Sequence, residues 1–588
     1  MNNKLIKLGF PIVFCILVTL IFCYPFLNGS ILMGPDTAFH INRIEALSIA
    51  MQNNDIFPRL FYHQNFHFGY GSPMFYSIFF LYFPAWLRTI GISVFNSYHI
   101  FLFVCTFLAS FSMYQCAKLF IGKKKTIYIC ITVMFYIWNC YYMSDLYKRG
   151  AIGEVLAFIF IPIIIMGMYH SVYGDYKKHY ILVIGFCGLL LSHNITFLIM
   201  VVLYAFYLLF NIKQLLKEKK RIVIIAIIAT VSILITCFFT MPMLEQMLSG
   251  KHRVDDYFGT SSMSELALKL SSIVDFRTDA SNYLTDSVGP FLLFIPLLYP
   301  LVSKKNKNTT ITYVLLSGYF MIFMTTKLFP WQWVEFLSFM QFPSRVLVPV
   351  AAFLALAAGY TVARIPVKKK IKLPLNNILI GSVFIFAILQ LYGIYSSPGL
   401  ITSVTTPEEL TDDKFIGREE WYSLLELSTP DYLPLDTNIN FRDYKSTIVT
   451  NNEETPRQAM DYTTYNNFTF TYPKINEGAY YVIPLTYYKG YVAEIYDGNT
   501  LIETVDTYRD PEMGLVRFDP SPYSSDTQEI TFKVYYKGTT IQSITAKISW
   551  FAFIVYLIVT IGIIGWNSKL VKNILNNTNI TNQIKHKQ

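Results

Sequence analysis

The chain has 588 residues, of which 53% are hydrophobic, 17% aromatic and only 15% charged, and its mean hydropathy is +0.40. A soluble protein normally carries about 25% charged residues to face water, so this composition excludes one and points to an integral membrane protein. With Gly 29, Pro 26 and Cys 8 it also excludes a disordered, collagenous or disulfide-scaffold chain.

Runs of roughly 17 to 25 apolar residues mark helices that cross a bilayer. Twelve are expected, at 8–28, 97–119, 126–143, 152–173, 180–193, 195–212, 222–247, 288–303, 310–327, 345–363, 375–395 and 548–566. The first follows Lys4 and Lys7 and has no small-residue cleavage site, so it reads as a retained anchor. Placing the N-terminus inside puts the basic clusters at 118–125, 213–221, 304–307 and 364–372 and the C-terminal tail in the cytoplasm. The short outer connectors then hold only Lys148, Arg149, Lys327 and Arg345. That asymmetry sets the orientation and accounts for the net charge of +10 without nucleic acid. The apolar stretch 73–91 carries Arg88, two prolines and many aromatics, and counting it as a span would move Lys123, Lys124 and Lys125 outside. It is expected to lie along the outer interface.

Three regions follow: a transmembrane region 1–395 with a first outer loop at 29–96, an outer region 396–547, and a last span with its tail at 548–588. Within the outer region, Ala479 to Pro484, Tyr491 to Tyr496 and Ile530 to Tyr536 alternate as strands do. Asp497-Gly498-Asn499 and Lys537-Gly538 supply turns. The fold class is therefore a mainly α, polytopic membrane protein with an extracytoplasmic antiparallel β domain, sandwich-like, near the C-terminus. All eight cysteines lie in or beside apolar runs and 396–547 has none, so no disulfide framework or Cys-type zinc site is available there.

Ionisable groups beside spans are costly and mark function, and here they gather on the outer side. In the first loop, Asp36, His40 and Arg43 stand at i, i+4 and i+7, on one face of a helix; the plainer reading is that Asp36 caps that helix. Tyr147, Arg149 and Glu154 lie between the third and fourth spans, His193 and Asn194 between the fifth and sixth, Glu245 at the end of the seventh, and Arg345 at the start of the tenth. Arg149 and Arg345 have an ordinary explanation as snorkelling residues, and His193 as the cap of a tight turn. Glu154 and Glu245 suit a water-filled cavity open to the outside. His63 and His67 have chelate spacing, but no Glu follows the first His and 69–73 read as loop, so solvated or aromatic-packed histidines are expected and no metal ligand is assigned. No Walker motif or phosphate-cradling Gly-rich loop is present, which argues against ATP as the energy source.

The run Gly34-Pro35-Asp36-(x)3-His40-(x)2-Arg43, with Phe57-Pro58-Arg59 and Gly69-Tyr70-Gly71-Ser72-Pro73-Met74-Phe75-Tyr76, resembles the bacterial membrane family labelled 6-pyruvoyl-tetrahydropterin synthase-related. Tyr147-(x)-Arg149-Gly150-Ala151-(x)2-Glu154, Ser192-His193-Asn194 and Gln341-Phe342-Pro343-(x)-Arg345 look like later landmarks of it. The closing β domain with Tyr487-Tyr488-Lys489-Gly490-Tyr491 is similar to that of large bacterial membrane glycosyltransferases. The architecture resembles the GT-C superfamily, which takes a sugar from a polyprenyl-phosphate carrier on the outer face. The resemblance implies Asp36 as general base, or orienter, for an acceptor hydroxyl in an inverting displacement. It implies Arg345, with Arg149 or His193, on the carrier phosphate, and His40, Arg43, Glu154 and Glu245 positioning sugar or acceptor. Tyr147 and Asn194 join them as substrate-binding residues. The partners so implied are membrane lipid, the lipid-linked sugar and a cell-envelope glycan or polymer. A divalent metal has no motif behind it. A transporter or flippase of lipid-linked saccharides is the alternative, and a non-catalytic envelope-assembly protein a third.

Overall fold

The computed structural model describes residues 3–27, 34–65, 67–254, 262–276, 287–366, 368–396, 431–435, 437, 447–452, 466–525 and 529–566. Residues 397–430 of the expected outer region, and the tail after Trp566, lie outside the described residues.

Helices dominate, and seven are long and apolar enough to cross a membrane: Gly9–Phe26, Val94–Ile121, Ile152–Val172, Lys220–Ser249, Pro343–Val362, Lys370–Gly393 and Thr540–Ile563. The pair Thr126–Ile137 and Cys140–Arg149, bent by 48°, makes an eighth if it counts as one span. The bend has a local cause at Asn139. Its side chain accepts from the Tyr142 N–H (3.0 Å) and donates to the Tyr136 carbonyl (2.6 Å), capping a new helix start inside an apolar run. The remaining expected runs form shorter helices. Tyr180–Leu190 has 11 residues, roughly 16 Å of helix against a hydrocarbon core of about 30 Å. Asn194–Phe210 and Thr309–Thr325 have 17 each. Between Pro290 and Asn306 the helix is interrupted by a 3-10 turn at Ile295–Leu298 that contains Pro296, with Pro300 opening the next piece.

Burial sorts the long helices into a centre and a rim. Pro343–Val362 and Ile152–Val172 are buried over 89% and 83% of their apolar windows, whereas Lys220–Ser249, Lys370–Gly393 and Thr540–Ile563 are buried over 22%, 17% and 11%. Helices so apolar and yet so exposed need an apolar solvent around them. The central helix Leu347–Val362 is rich in small residues, with Ala351, Ala352, Ala355, Ala357, Ala358 and Gly359 all buried. These let it press against Thr309–Thr325 and Thr126–Ile137. The 73–91 stretch breaks into Ser72–Phe75, Phe79–Leu81 and Tyr82–Thr89, none long enough to cross. The Arg88–Glu45 ion pair (2.7 Å) ties the last of these to the first-loop helix Thr37–Gln52.

The C-terminal region is antiparallel. Its strands are β1 (Val449–Thr450), β2 (Asn467–Tyr472), β3 (Lys474–Ile475), β4 (Tyr481–Thr486), β5 (Tyr491–Asp497), β6 (Thr500–Asp506), β7 (Tyr508–Arg509), β8 (Leu515–Phe518), β9 (Tyr523–Ser524) and β10 (Ile530–Tyr536). They form sheets of order β1-β4-β8-β7 and β2-β10-β5-β6, plus the pair β3-β9. The inner faces share one core, in which Phe470 of β2 stacks on Phe532 of β10 (4.8 Å) and Tyr481 of β4 meets the same ring (4.8 Å). The turn at Asp497 to Asn499 joins β5 to β6, with Gly498 at φ 58. A smaller apolar cluster joins the two parts: Phe39, Phe68 and Tyr70 from the first loop pack with Leu433, Val482 and Leu515.

Candidate functional site

The site is built where the first loop meets the bent helix pair. Gly34 lies so close to the Lys148 carbonyl that an added Cβ would stand 2.2 Å from it, and a Cβ on Gly150, at φ 68, would stand 2.0 Å from the Thr37 hydroxyl. Only glycine permits this crossing at both places. It lets the Asp36 N–H donate to the Arg149 carbonyl at 2.9 Å. The Asp36 side chain makes no capping hydrogen bond to the Thr37–Gln52 helix. Its carboxylate instead faces the Arg149 guanidinium at 3.8 Å, so the cap reading does not describe it.

Behind Asp36 lies a buried ion network. Arg149 Nη1 stands 2.8 Å from Asp145 Oδ1 and 3.1 Å from Glu154 Oε1, and Arg345 Nε stands 3.5 Å from the same Glu154 oxygen. The Tyr141 hydroxyl donates to Glu154 Oε2 at 2.9 Å. The Phe342 ring lies under both guanidiniums, 4.5 Å from Arg345 and 5.3 Å from Arg149. Glu154 and Asp145 are fully buried, yet the second oxygen of Asp145 has no hydrogen-bond partner among the described residues. Arg345 Nε likewise has no hydrogen-bond partner among them. Asp36 keeps 38% of its side chain accessible. Burial raises its carboxyl above the usual carboxylate range, against the pull of Arg149 and Arg345, and Glu154 adds to the rise.

His40 and Arg43 stand on the buried side of the same helix. Arg43 Nη2 donates to the Tyr76 carbonyl (2.6 Å) and the Ser77 carbonyl (2.9 Å), and its guanidinium lies over the Tyr76 ring at 4.4 Å. It fastens the 76–77 chain beside the site. Burial, then the charge of Arg43, holds the His40 imidazole well below its ordinary range, so it is neutral. His193 Nδ1 pairs with the Thr196 hydroxyl (2.7 Å) and receives the Thr196 N–H, capping the helix Asn194–Phe210. It lies 3.1 Å from where a Gly153 Cβ would be, beside the Tyr76 hydroxyl. Asn194 donates to the Phe75 carbonyl at 3.4 Å, a scaffolding contact.

Two expected substrate residues fall elsewhere. Tyr147 turns into the first helix, where its hydroxyl donates to the Phe22 carbonyl and its ring stacks on Phe26. Glu245 is joined to Lys489 (3.3 Å) and to the Thr539 hydroxyl (2.5 Å), next to Gln246, which brackets the Lys489 backbone through both halves of its amide (2.7 and 3.1 Å). This is a latch between the Lys220–Ser249 helix and the β region rather than part of the network at Asp36. His63 and His67 face each other with Nδ1 atoms 3.4 Å apart, on a loop with Asn65 at φ 56 and His67 at φ 68, so the helical chelate geometry is not formed. Among the described residues no group of three or more His, Cys, Asp or Glu side chains is arranged to hold a metal ion. Asp145, the internal counter-ion of Arg149, is not among the site residues expected from the sequence, although its i, i+4 spacing to Arg149 is visible there.

The chain matches no protein-family profile. Over 332 residues it is 24% identical to a protein of Lactococcus lactis subsp. cremoris (strain MG1363) described as "Uncharacterized protein". The match covers 54% of this chain and 53% of that protein, so the chain spans about half the length of the relative.

Proposed function

We propose that this protein is a membrane glycosyltransferase of the GT-C type, moving a sugar from a polyprenyl-phosphate carrier to a cell-envelope acceptor on the outer face. The observation that carries the reading is the pairing of an accessible carboxylate, Asp36, with a guanidinium, Arg345, that stands 3.5 Å from Glu154 and whose Nε has no hydrogen-bond partner among the described residues, both bound into one network through Arg149 and Glu154. A base beside an anion holder is what displacement of a phosphate-linked sugar needs. The acceptor hydroxyl attacks the anomeric carbon, its proton passes to an oxygen of Asp36, and the bond from that carbon to the phosphate oxygen breaks, leaving the carrier phosphate on Arg345. A carboxyl raised by burial is a stronger base than one in water. Arg149 has its Nη1 committed to Asp145 and Glu154, and His193 has its Nδ1 committed to Thr196, so the phosphate falls to Arg345. In this reading the four shorter apolar helices also lie in the membrane and complete twelve spans. The first helix enters from the cytoplasmic side, the chain ends there, and the β region lies outside.

The test is mass spectrometry of cell-envelope polymers from a deletion strain complemented with wild type or Asp36→Asn at matched expression. A sugar decoration that vanishes on deletion and returns only with wild type supports the reading. Full restoration by Asp36→Asn removes it. A transporter of lipid-linked saccharides is the second reading, favoured by the 48° break between Thr126–Ile137 and Cys140–Arg149, since broken helices mark transport sites. A transporter would leave lipid-linked sugar accumulating on the inner leaflet when deleted.

A further inference from the structure

The helix Leu347–Val362 starts beside Arg345 and runs roughly 24 Å before it reaches Arg364, so its far end lies across the apolar layer from Asp36. There cations tie the helix ends together. Lys125 Nζ donates to the Ala363 carbonyl (2.9 Å), and Arg364 donates to the Phe120 carbonyl (3.1 Å) and lies over the Tyr360 ring at 3.5 Å. Each connector thus caps the helix that the other follows. Lys372, from the helix Lys369–Ser396, stands 5.6 Å from the Tyr128 ring, whose hydroxyl accepts from Asn376 at 3.3 Å. Tyr128 is one turn from Lys125, so Lys125, Arg364 and Lys372 come from three elements into one junction. These contacts are to carbonyls and ring faces, which leave the positive charges standing. The stretches 118–125 and 364–372 hold four and five cations and no acid, and the charges of Arg364 and Lys372 press on Lys125. At the same end of the bundle Arg221 is answered differently: its Nε stands 2.8 Å from Glu218, and its Nη1 donates to the His170 and Gly174 carbonyls.

The surface next to these cations faces hydrocarbon. Leu119, Ile371, Leu373, Leu375 and Ile378 are exposed, and the apolar window of Lys370–Gly393 is buried over only 17%. We propose that Lys125, Arg364 and Lys372 bind the phosphate of an anionic phospholipid, such as phosphatidylglycerol or cardiolipin, whose acyl chains lie along the Lys369–Ser396 helix. A phosphate diester accepts charge-assisted hydrogen bonds from ammonium and guanidinium groups, and basic pockets between spanning helices hold such headgroups. The Ala363 carbonyl takes one of the three donors of the Lys125 ammonium, and the phosphate takes another. Lys123 and Lys124, exposed at the same turn, add to the field. Bridged in this way, a thinly buried helix is fixed to the core helices through Lys372. A free phosphate would meet the same cations but leave the apolar flank uncovered. The inference stands apart from the glycosyltransferase reading, because no residue of the Asp36 network takes part.

The test is the melting temperature of the full-length protein, delipidated in an uncharged detergent and titrated with phosphatidylglycerol, phosphatidylcholine or inorganic phosphate. The expected result is a rise with phosphatidylglycerol alone, and retention of that lipid in native mass spectrometry. Lys372→Gln should weaken the apparent affinity about fivefold, and Lys125→Gln combined with Lys372→Gln on the order of twentyfold. The same change of charge at the other basic cluster, Lys217→Gln combined with Lys219→Gln, should leave the affinity as it is. If phosphatidylcholine stabilises as well as phosphatidylglycerol, or if the Lys217 and Lys219 pair weakens binding as much as the Lys125 and Lys372 pair, the attraction is diffuse and the inference is overturned. A full shift with inorganic phosphate makes the ligand a free anion and overturns the lipid. Lys372 rests on a ring face, so Lys372→Gln keeps the fold even where the double variant does not, and an unchanged affinity in it overturns the site.

Discussion

Two clusters of charge join the helices to what lies beyond them, and they differ in what is left over. At Glu245 one carboxylate oxygen meets Lys489 and the other the Thr539 hydroxyl, while both ends of the Gln246 amide are taken by the Lys489 backbone. At Asp36 the network runs through Arg149, Glu154 and Arg345 and still leaves one oxygen of Asp145 and Nε of Arg345 without a hydrogen bond among the described residues. A buried polar network that closes on itself rigidifies a junction; one that stays open carries a cost that a bound ligand removes. Unused valence, rather than proximity to the membrane, separates structural from chemical acids and bases here.

Removing Arg149 should do the most damage, because it is the hinge of the open cluster and satisfies buried acids. Arg149→Met leaves Asp145 and Glu154 without their shared cation and is expected to cost about 3–5 kcal/mol, seen as loss of folded protein in detergent. Arg345→Met should separate folding from activity. Glu154 keeps Arg149 at 3.1 Å, so stability changes by about 1 kcal/mol or less, while decoration of the envelope polymer falls on the order of a hundredfold. An Arg345→Met protein that unfolds as readily as Arg149→Met would show that the open cluster is structural after all. At the latch, Glu245→Gln loses the ion pair to a half-exposed Lys489 and weakens one hydrogen bond. The expected loss is about 1 kcal/mol in thermal unfolding, with decoration unchanged.

Much of this was legible in the sequence, and the limits are physical. Ionisable residues beside apolar runs stand out because hydrocarbon tolerates them poorly, so Asp36, Arg149, Glu154 and Arg345 were visible as a set. The β strands at 491–497 and 530–536 were visible because their alternation has a period of two. What a donor is bonded to is a tertiary fact. Arg43 carries the same charge as Arg345, but nothing in the chain says that it is spent on the carbonyls of Tyr76 and Ser77. Tyr147 sits two residues from Arg149 and points the other way, into Phe22 and Phe26. The break at Asn139 left a signal, an Asn inside the apolar run 126–143, and its capping tendency was outweighed by hydropathy. The position of Asp431 left none, because acids are ordinary in a polar region, and only the pairing of 431–435 with 251–254 shows where it lies.

A weaker effect is expected at Asp431. Burial, and then the charge of Asp36, push the Asp431 carboxyl up to about 6, while an unfolded chain titrates such a group near ~3.9. Tyr70 and Tyr432, the other titratable groups facing it, stay neutral through this range because burial raises both. The folded state therefore binds the Asp431 proton more tightly than the unfolded state does. Relative stability from this group is fully present below the unfolded value and is lost as pH rises through the folded one. Asparagine carries no such proton, so the Asp431→Asn protein should gain on wild type as pH rises from about 4 to about 7. The gain is on the order of 1–2 °C in melting temperature, because partial exposure screens the interaction. A difference that stays flat across that range would place Asp431 beyond the reach of Asp36.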